Sequence, residues 1–454
     1  MQNIFNEVGS LDQRCYKEFG LSEDILMEHA ADGMADFIKT KFSEQNEILI
    51  VCGSGNNGGD GLALARLLHK DYNVKVYLLK EPKSEMAKLQ LQRCQKLGVM
   101  FTDTIHEADI LVDAILGTGF TGELDYTLAN TLEVMNSFDS VRIACDVPSA
   151  YKFRADVTLT MGGLKKSMFE DFAKDYVGEI SVIDLGVSRK IYETDSNLKL
   201  LEVDDLKLPH RVEQNTHKGS YGHLAVLSGE KTGASVLSAK AAFRFGTALV
   251  TLLSNENLSI PFELMQSHQL PSTVSAIALG MGLGVEFSQS ELERFLNNEL
   301  PLLLDADIFY HPLLSTLLQR KNVVITPHPK EFCKILECCE IADIGVEELQ
   351  QNRFVYAQKF SQKFPEVTLV LKGANVIISK AEEVFVNPHG SNVLAKGGSG
   401  DVLAGLMAGL LAQGYTPLEA AINGSLAHTQ LAKSYEGADF SLTPSDLING
   451  IGKL

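Results

Sequence analysis

Short apolar runs alternate along the chain with longer stretches in which apolar residues recur at helical spacing. In the first half the runs are I-L-I-V-C (48–52), V-K-V-Y-L-L (74–79), I-L-V-D-A-I-L (110–116) and V-R-I-A-C-D-V (141–147), followed by D-V-T-L-T-M (156–161) and E-I-S-V-I-D-L (179–185). Runs that are apolar on both faces and joined by amphipathic crossovers predict parallel strands covered by helices, a doubly wound α/β sheet. The second half repeats the alternation at H-L-A-V-L-S-G (223–229), L-V-T-L-L (249–253), A-I-A-L-G-M-G (276–282), L-L-L-D-A (302–306), V-V-I-T-P (323–327) and V-T-L-V-L-K-G (367–373), which predicts a second α/β sheet. Between them the polar stretch 201–219 holds no clear regular element, so the expected domains are 1–205 and 206–454.

With 454 residues, 45% hydrophobic and 22% charged, the composition excludes wholesale disorder and fibrous architectures. The net charge of -18 argues against a sequence-independent grip on nucleic acid or an anionic membrane, so any phosphate must be held locally. Seven cysteines without a C-x-x-C pair predict reduced thiols and a cytoplasmic setting. The first residues lack the basic flank and apolar run of a signal peptide, and no eighteen-residue apolar stretch predicts a membrane span.

The first run leads directly into G-S-G-N-N-G-G-D-G (53–61) and a helical pattern, which contains G-x-G-x-x-G at Gly53, Gly55 and Gly58. A dinucleotide-binding dehydrogenase is the first reading of that spacing. Against it, Asn56 and Asn57 crowd the turn, and Asp60 sets a carboxylate where a diphosphate would have to lie. A polar substrate that needs a base, or a cation held by amide and carboxylate oxygens, suits the loop better. Asp113 and Asp146 end two further strands and would reach the same sheet edge. The first precedes a second glycine-rich loop, I-L-G-T-G-F-T-G-E (115–123), and the second opens D-V-P-S, with Ser149 nearby. Each aspartate alone reads as a helix cap or turn residue; together they read as a site.

L-M-E-H-A (26–30), the 53–61 loop, V-D-A-I-L-G-T-G (112–119), D-V-P-S and T-L-T-M-G-G-L-K (158–165) together resemble NAD(P)H-hydrate epimerases in order and spacing. The resemblance implies a Rossmann-like domain. In it Asn56, Asn57, Gly58, Gly59 and Asp60, with Gly117, Thr118, Gly119, Phe120, Thr121, Gly122 and Glu123, embrace a hydrated nicotinamide nucleotide. It implies a potassium ion on Asn57, Asp113 and Ser149, and Asp146 as substrate contact and acid/base. Lys165 matches a lysine of that family, against the alternative of a solvated surface lysine. The family's pattern has glycine where this chain has Ala150 and commonly phenylalanine where it has Met161.

Near the carboxyl end, A-K-G-G-S-G-D-V-L-A-G (395–405) places glycines and Asp401 at a helix start. Backbone amides there suit a phosphoryl group in transfer, and a carboxylate there suits deprotonation of an attacking hydroxyl. With H-K-G-S-Y-G-H (217–223), G-M-G-L-G (280–284), L-L-D-A-D (303–307), T-P-H-P-K-E-F (326–332) and L-K-G-A-N-V (371–376), the second half resembles the ADP-dependent NAD(P)H-hydrate dehydratases of the ribokinase-like fold. That resemblance implies a hydrate pocket at Ala234, Gly284, His328 and catalytic Asp401. It also implies an adenine nucleotide, with magnesium, on Lys372, Gly373, Ala374, Asn375, Val376 and Gly400. Lys330 and F-Y-H (309–311) depart from the family's pattern. The expected partners are the NADH and NADPH hydrates and ADP, and the sheet-covering helices are compatible with a homo-oligomer. The alternative is a ribokinase-like small-molecule kinase carrying a non-catalytic ligand-binding domain, which donor preference would distinguish.

Overall fold

The computed structural model describes residues 1–454 except 120, 121, 123, 285 and 286. It forms two compact units, one comprising Asn3–Ser196 and the other Asn197–Leu454 with Met1 and Gln2. The division lies upstream of the expected 205/206, because the strand Leu198–Leu200 pairs in parallel with Val384–Val386 of the second unit. A three-residue strand within a polar stretch leaves little periodicity to read.

In the first unit seven parallel strands run in the order Met100–Thr102, Asn73–Leu78, Glu47–Cys52, Ile110–Ala114, Val141–Cys145, Val157–Met161, Glu179–Ile183. Ile110–Ala114 is buried along its whole length, as its apolar run predicts for a strand packed on both faces. Chain order reverses between Glu47–Cys52 and Ile110–Ala114. The carboxyl edge beside that reversal is where doubly wound sheets bind ligands. Ile4 and Phe5 pair with Leu164 and Lys165, which ties the amino-terminal strand to the turn carrying that lysine.

The second unit is built on parallel strands Met265–Ser267, Leu249–Leu253, His223–Leu227, Ala276–Leu279, Leu302–Leu304, Val323–Ile325 and Val367–Leu371, in that spatial order. Past them lies a feature the alternation did not predict: Val376–Lys380 and Glu383–Asn387 form an antiparallel hairpin, with Val376–Lys380 antiparallel to Val367–Leu371. The helix Ser399–Ala412 is buried on nearly every side, which explains its almost continuous apolar sequence. No helix among the described residues is long and apolar enough to cross a membrane.

Candidate active sites

At the reversal point of the first sheet the chain packs against itself without room for side chains. A Cβ on Gly53 would lie 2.0 Å from the Ile115 carbonyl oxygen, and one on Gly58 would lie 2.0 Å from that of Gly53. Gly53 in turn donates its amide to the Ala114 carbonyl at 2.9 Å. These contacts seat the helix Asn56–Leu68 close over the strand ends.

Around this turn opens a cleft of about 650 Å³. Of the residues singled out in the sequence, Asn56, Asn57, Asp60, Gly117, Thr118, Gly119 and Asp146 line it. Gly58 and Gly59 are buried in the packing of the helix instead, and Gly122 is exposed. Phe120, Thr121 and Glu123 fall outside the described residues. The cleft also collects Asp12, Tyr16, Glu23 and Ser84, for which the sequence carried no signal. Glu23 accepts from the Asn56 amide at 2.6 Å.

Behind the lining sits a buried polar cluster. Asp113 accepts from the Ser149 amide at 2.8 Å, the Ser149 hydroxyl at 2.6 Å and the Ile115 amide at 3.1 Å. Burial nevertheless pushes its carboxyl up to about 6, the Ser149 hydrogen bonds only partly opposing it. Ser149 Oγ also accepts from the Leu116 amide at 2.9 Å. Asn57 is buried, and both of its side-chain polar atoms lack a hydrogen-bond partner. An orphaned buried amide is costly unless a ligand completes it.

Asp146 sits at φ 69 in the left-handed region, where aspartate is tolerated better than most side chains. Its Oδ1 accepts from the Met161 amide at 3.2 Å and from Lys165 Nζ at 2.5 Å. Lys165 is not the solvated lysine of the alternative reading: its side chain is 1% exposed and also donates to Thr160 Oγ1 and the Met161 carbonyl. Asp60 is held well above the usual carboxylate range by burial first and then by Asp146, Asp12 and Glu23.

In the second unit the named residues again follow the carboxyl ends of strands. Lys372 Nζ donates to Asp305 Oδ1 at 2.8 Å and stands 3.5 Å from where a Cβ would sit on Gly400. Asp401 lies in the first turn of the helix Ser399–Ala412, whose cap Gly398 has φ 89. Burial, reinforced by Asp305 and Asp307 and opposed by Lys372, lifts its carboxyl to about 6. The Gly284 amide donates to Asp307 at 2.9 Å, and Ala234 lies in the helix Thr232–Arg244.

His328 caps the helix Pro329–Cys338: its Nδ1 accepts from the Glu331 amide at 3.2 Å, while Glu331 Oε2 accepts from the His328 amide. Nε2 stands 3.3 Å from Glu331 Oε1, so the same carboxylate engages both the His328 amide and its ring. Lys330, the departure from T-P-H-P-G, is exposed in the same turn.

The loop 371–376 is braced by a residue the sequence did not reveal. Arg353 is fully buried and donates to the carbonyls of Leu371, Lys372 and Asn375. These bonds hold Lys372, Gly373, Ala374 and Asn375 in place ahead of the strand starting at Val376. His428, also unforeseen, meets Ser399 Oγ at 3.1 Å beneath the glycine-rich turn, and burial pushes its imidazole down to about 4.

The family described as NAD(P)H-hydrate dehydratase matches residues 224–452, and that described as YjeF-related protein N-terminus matches residues 23–167. A bifunctional NAD(P)H-hydrate repair enzyme of Helicobacter pylori is 42% identical over 474 residues, covering 100% of both chains. One from Dictyoglomus turgidum is 32% identical, covering 97% of this chain and 96% of its own. A solved ADP/ATP-dependent NAD(P)H-hydrate dehydratase from Bacillus subtilis, co-crystallised with ATP and Mg2+, is 28% identical. It covers 57% of this chain and 98% of its own, with a TM-score of 0.49.

Proposed function

The chain belongs to the bifunctional NAD(P)H-hydrate repair enzymes, and we propose that its first site interconverts the R and S epimers of the hydrated nicotinamide while its second dehydrates the S epimer at the expense of ADP. Nicotinamide hydrated at C6 cannot donate hydride, so the pair of activities restores NADH and NADPH from both epimers. What carries the assignment of residues is that each of the two signature carboxylates, Asp146 and Asp401, lies at a sheet edge within reach of a lysine's charge, Lys165 or Lys372.

In the first site Asn56, Asn57, Asp60 and the loop 117–123 surround the nucleotide, and Asp146 moves the proton. The donor set behind the cleft is all oxygen, which fits a potassium ion held by Asn57, Asp113 and Ser149, and the unpartnered Asn57 amide is the observation that supports it. Such an ion supplies a fixed positive charge at the strand ends.

In the second site Asp401 deprotonates the S epimer's hydroxyl as it takes the β-phosphoryl group of ADP, after which phosphate is eliminated and AMP released. The amides opening the helix Ser399–Ala412 and the Lys372 ammonium stabilise the phosphoryl group in flight. Magnesium would arrive with the nucleotide's phosphates, held mainly by phosphate oxygens and water. Ala234, Gly284 and His328 line the hydrate pocket, and Lys372 to Val376 with Gly400 hold the nucleotide.

The test mixes the protein with chemically hydrated NADH, ADP and magnesium, and follows dihydronicotinamide absorbance. Recovery of both epimers is expected. Recovery of the S epimer alone would remove epimerisation from the first site, and transfer only from ATP to a stable acceptor would make the second a kinase.

A further inference from the structure

We propose that Asp12 is the second proton-transfer group of the epimerase cleft, working opposite Asp146; the inference rests on the epimerase reading of that cleft. Inverting a carbinolamine carbon is a two-sided task. On one side an acid protonates the hydroxyl at C6, the C6–O bond breaks with its electron pair leaving on the departing water, and the N1 lone pair forms an N1=C6 iminium. On the other, water bonds to C6, the π pair returns to N1, and a base takes the water's proton. The acid ends deprotonated and the base protonated, so the reverse conversion runs with their roles exchanged. A single carboxyl cannot serve both faces at once.

Asp146 is the ion-paired member, fixed by Lys165. Asp12 lies on the helix Gly9–Glu18 and lines the same cleft. The Tyr192 hydroxyl donates to its Oδ1 at 2.7 Å, leaving Oδ2 to carry a proton. Tyr192 is itself buried and rests on the turn before Lys165: a Cβ on Gly162 would lie 2.5 Å from the tyrosine hydroxyl. Asp12 and Asp146 are thus braced by one turn, Asp12 through Tyr192 and Asp146 through Lys165. Burial raises the proton affinity of Asp12, and Asp146 adds to this, while Tyr192 and Lys165 oppose it. Both Asp12 and Tyr192 lie outside the 23–167 segment matched by the amino-terminal family.

The experiment follows R-to-S conversion of NADH hydrate in H218O, with the uncatalysed rate subtracted. The wild-type protein should incorporate one solvent oxygen per inversion; catalysed inversion that retains the original oxygen would overturn the proposal without needing any variant. Asp12→Asn, which keeps an oxygen acceptor for Tyr192, should lower both inversion and oxygen wash-in at least about a hundredfold. Tyr192→Phe, which keeps the carboxyl, should lower them far less. Wild-type wash-in in Asp12→Asn, or its loss only in Asp60→Asn, would give the role to another group. A wild-type protein that does not epimerise at all would instead sink the reading on which the proposal rests.

Discussion

Lys165 donates to Asp146 across 2.5 Å from inside the first unit, its ammonium enclosed by Thr160 and two backbone carbonyls. Removing one partner of a buried pair leaves the other charge uncompensated, which costs about 3–5 kcal/mol. Lys165→Met should therefore lower the stability of the first unit by roughly 3 kcal/mol and abolish epimerisation, measured by denaturant unfolding and by epimer ratio. Retained epimerisation at wild-type rate would reduce the lysine to scaffolding.

In the proposed reading Asp401 is the base and works only when ionised; its carboxyl is lifted to about 6. The dehydration rate at saturating ADP should rise with pH through about 6 and level off above it. Asp401→Ala should remove dehydration by about a factor of 10² to 10⁴ while epimer exchange continues. A flat profile across pH 5 to 7 would detach the rate from this carboxyl.

The Asn57 amide has no protein partner to lose, so Asn57→Ala should leave unfolding without added potassium within about 1 kcal/mol of the parent. Potassium binding only to the folded form stabilises it by about 2.7 kcal/mol at a hundred times its Kd. That stabilisation should vanish in Asn57→Ala, seen as the difference in melting between potassium and sodium chloride. An undiminished potassium shift would place the ion elsewhere.

Ala150 holds φ 52 and ψ 18, a left-handed conformation that costs an L side chain about 1–2 kcal/mol and glycine nothing. After the extra flexibility that glycine brings to the unfolded chain, Ala150→Gly should still stabilise the first unit by up to about 1 kcal/mol. A lower melting temperature would show that the alanine methyl contributes packing that outweighs the backbone strain.

Arg353 orders the loop 371–376, the proposed nucleotide contact, through three carbonyls. Hydrogen bonds from a charged donor are each worth about 1.5–3 kcal/mol. Arg353→Lys, unable to reproduce the fork, should weaken ADP binding about tenfold or more, with KM for the hydrate moving much less. Equal changes in both constants would point to a general loss of structure instead.

Both sheets could be read from the sequence, because alternating apolar runs report burial, and polar residues at strand ends mark the edge where such sheets bind ligands. Asp113 and Asp146 stand out in the sequence as polar residues at strand ends, and Asp401 as a carboxylate after a glycine-rich helix start. Asp12, Tyr192, Arg353 and His428 were not, because their roles arise from approaches between distant segments. Asp12 and Tyr192 are 180 residues apart, and Ser399 and His428 sit on separate helices. The hairpin 376–387 breaks the strand–helix alternation, joining two strands by a tight turn with no intervening helix, so the alternating pattern carries no signal for it.

The glycines of the 53–61 turn also fix how this stretch can vary. At Gly53 and Gly58 the space a side chain would need is filled by main-chain oxygen, which no neighbouring substitution can trim away, so each position admits one letter of the amino-acid alphabet. Gly55 and Gly119 face open space and should accept alanine. A saturation library should show Gly53 and Gly58 invariant, with Gly55 of the same loop and Gly119 of the second glycine-rich loop permissive. The Gly53 and Gly58 pair would then persist as a record of the backbone's own crossing, whatever ligand later generations of the cleft came to hold.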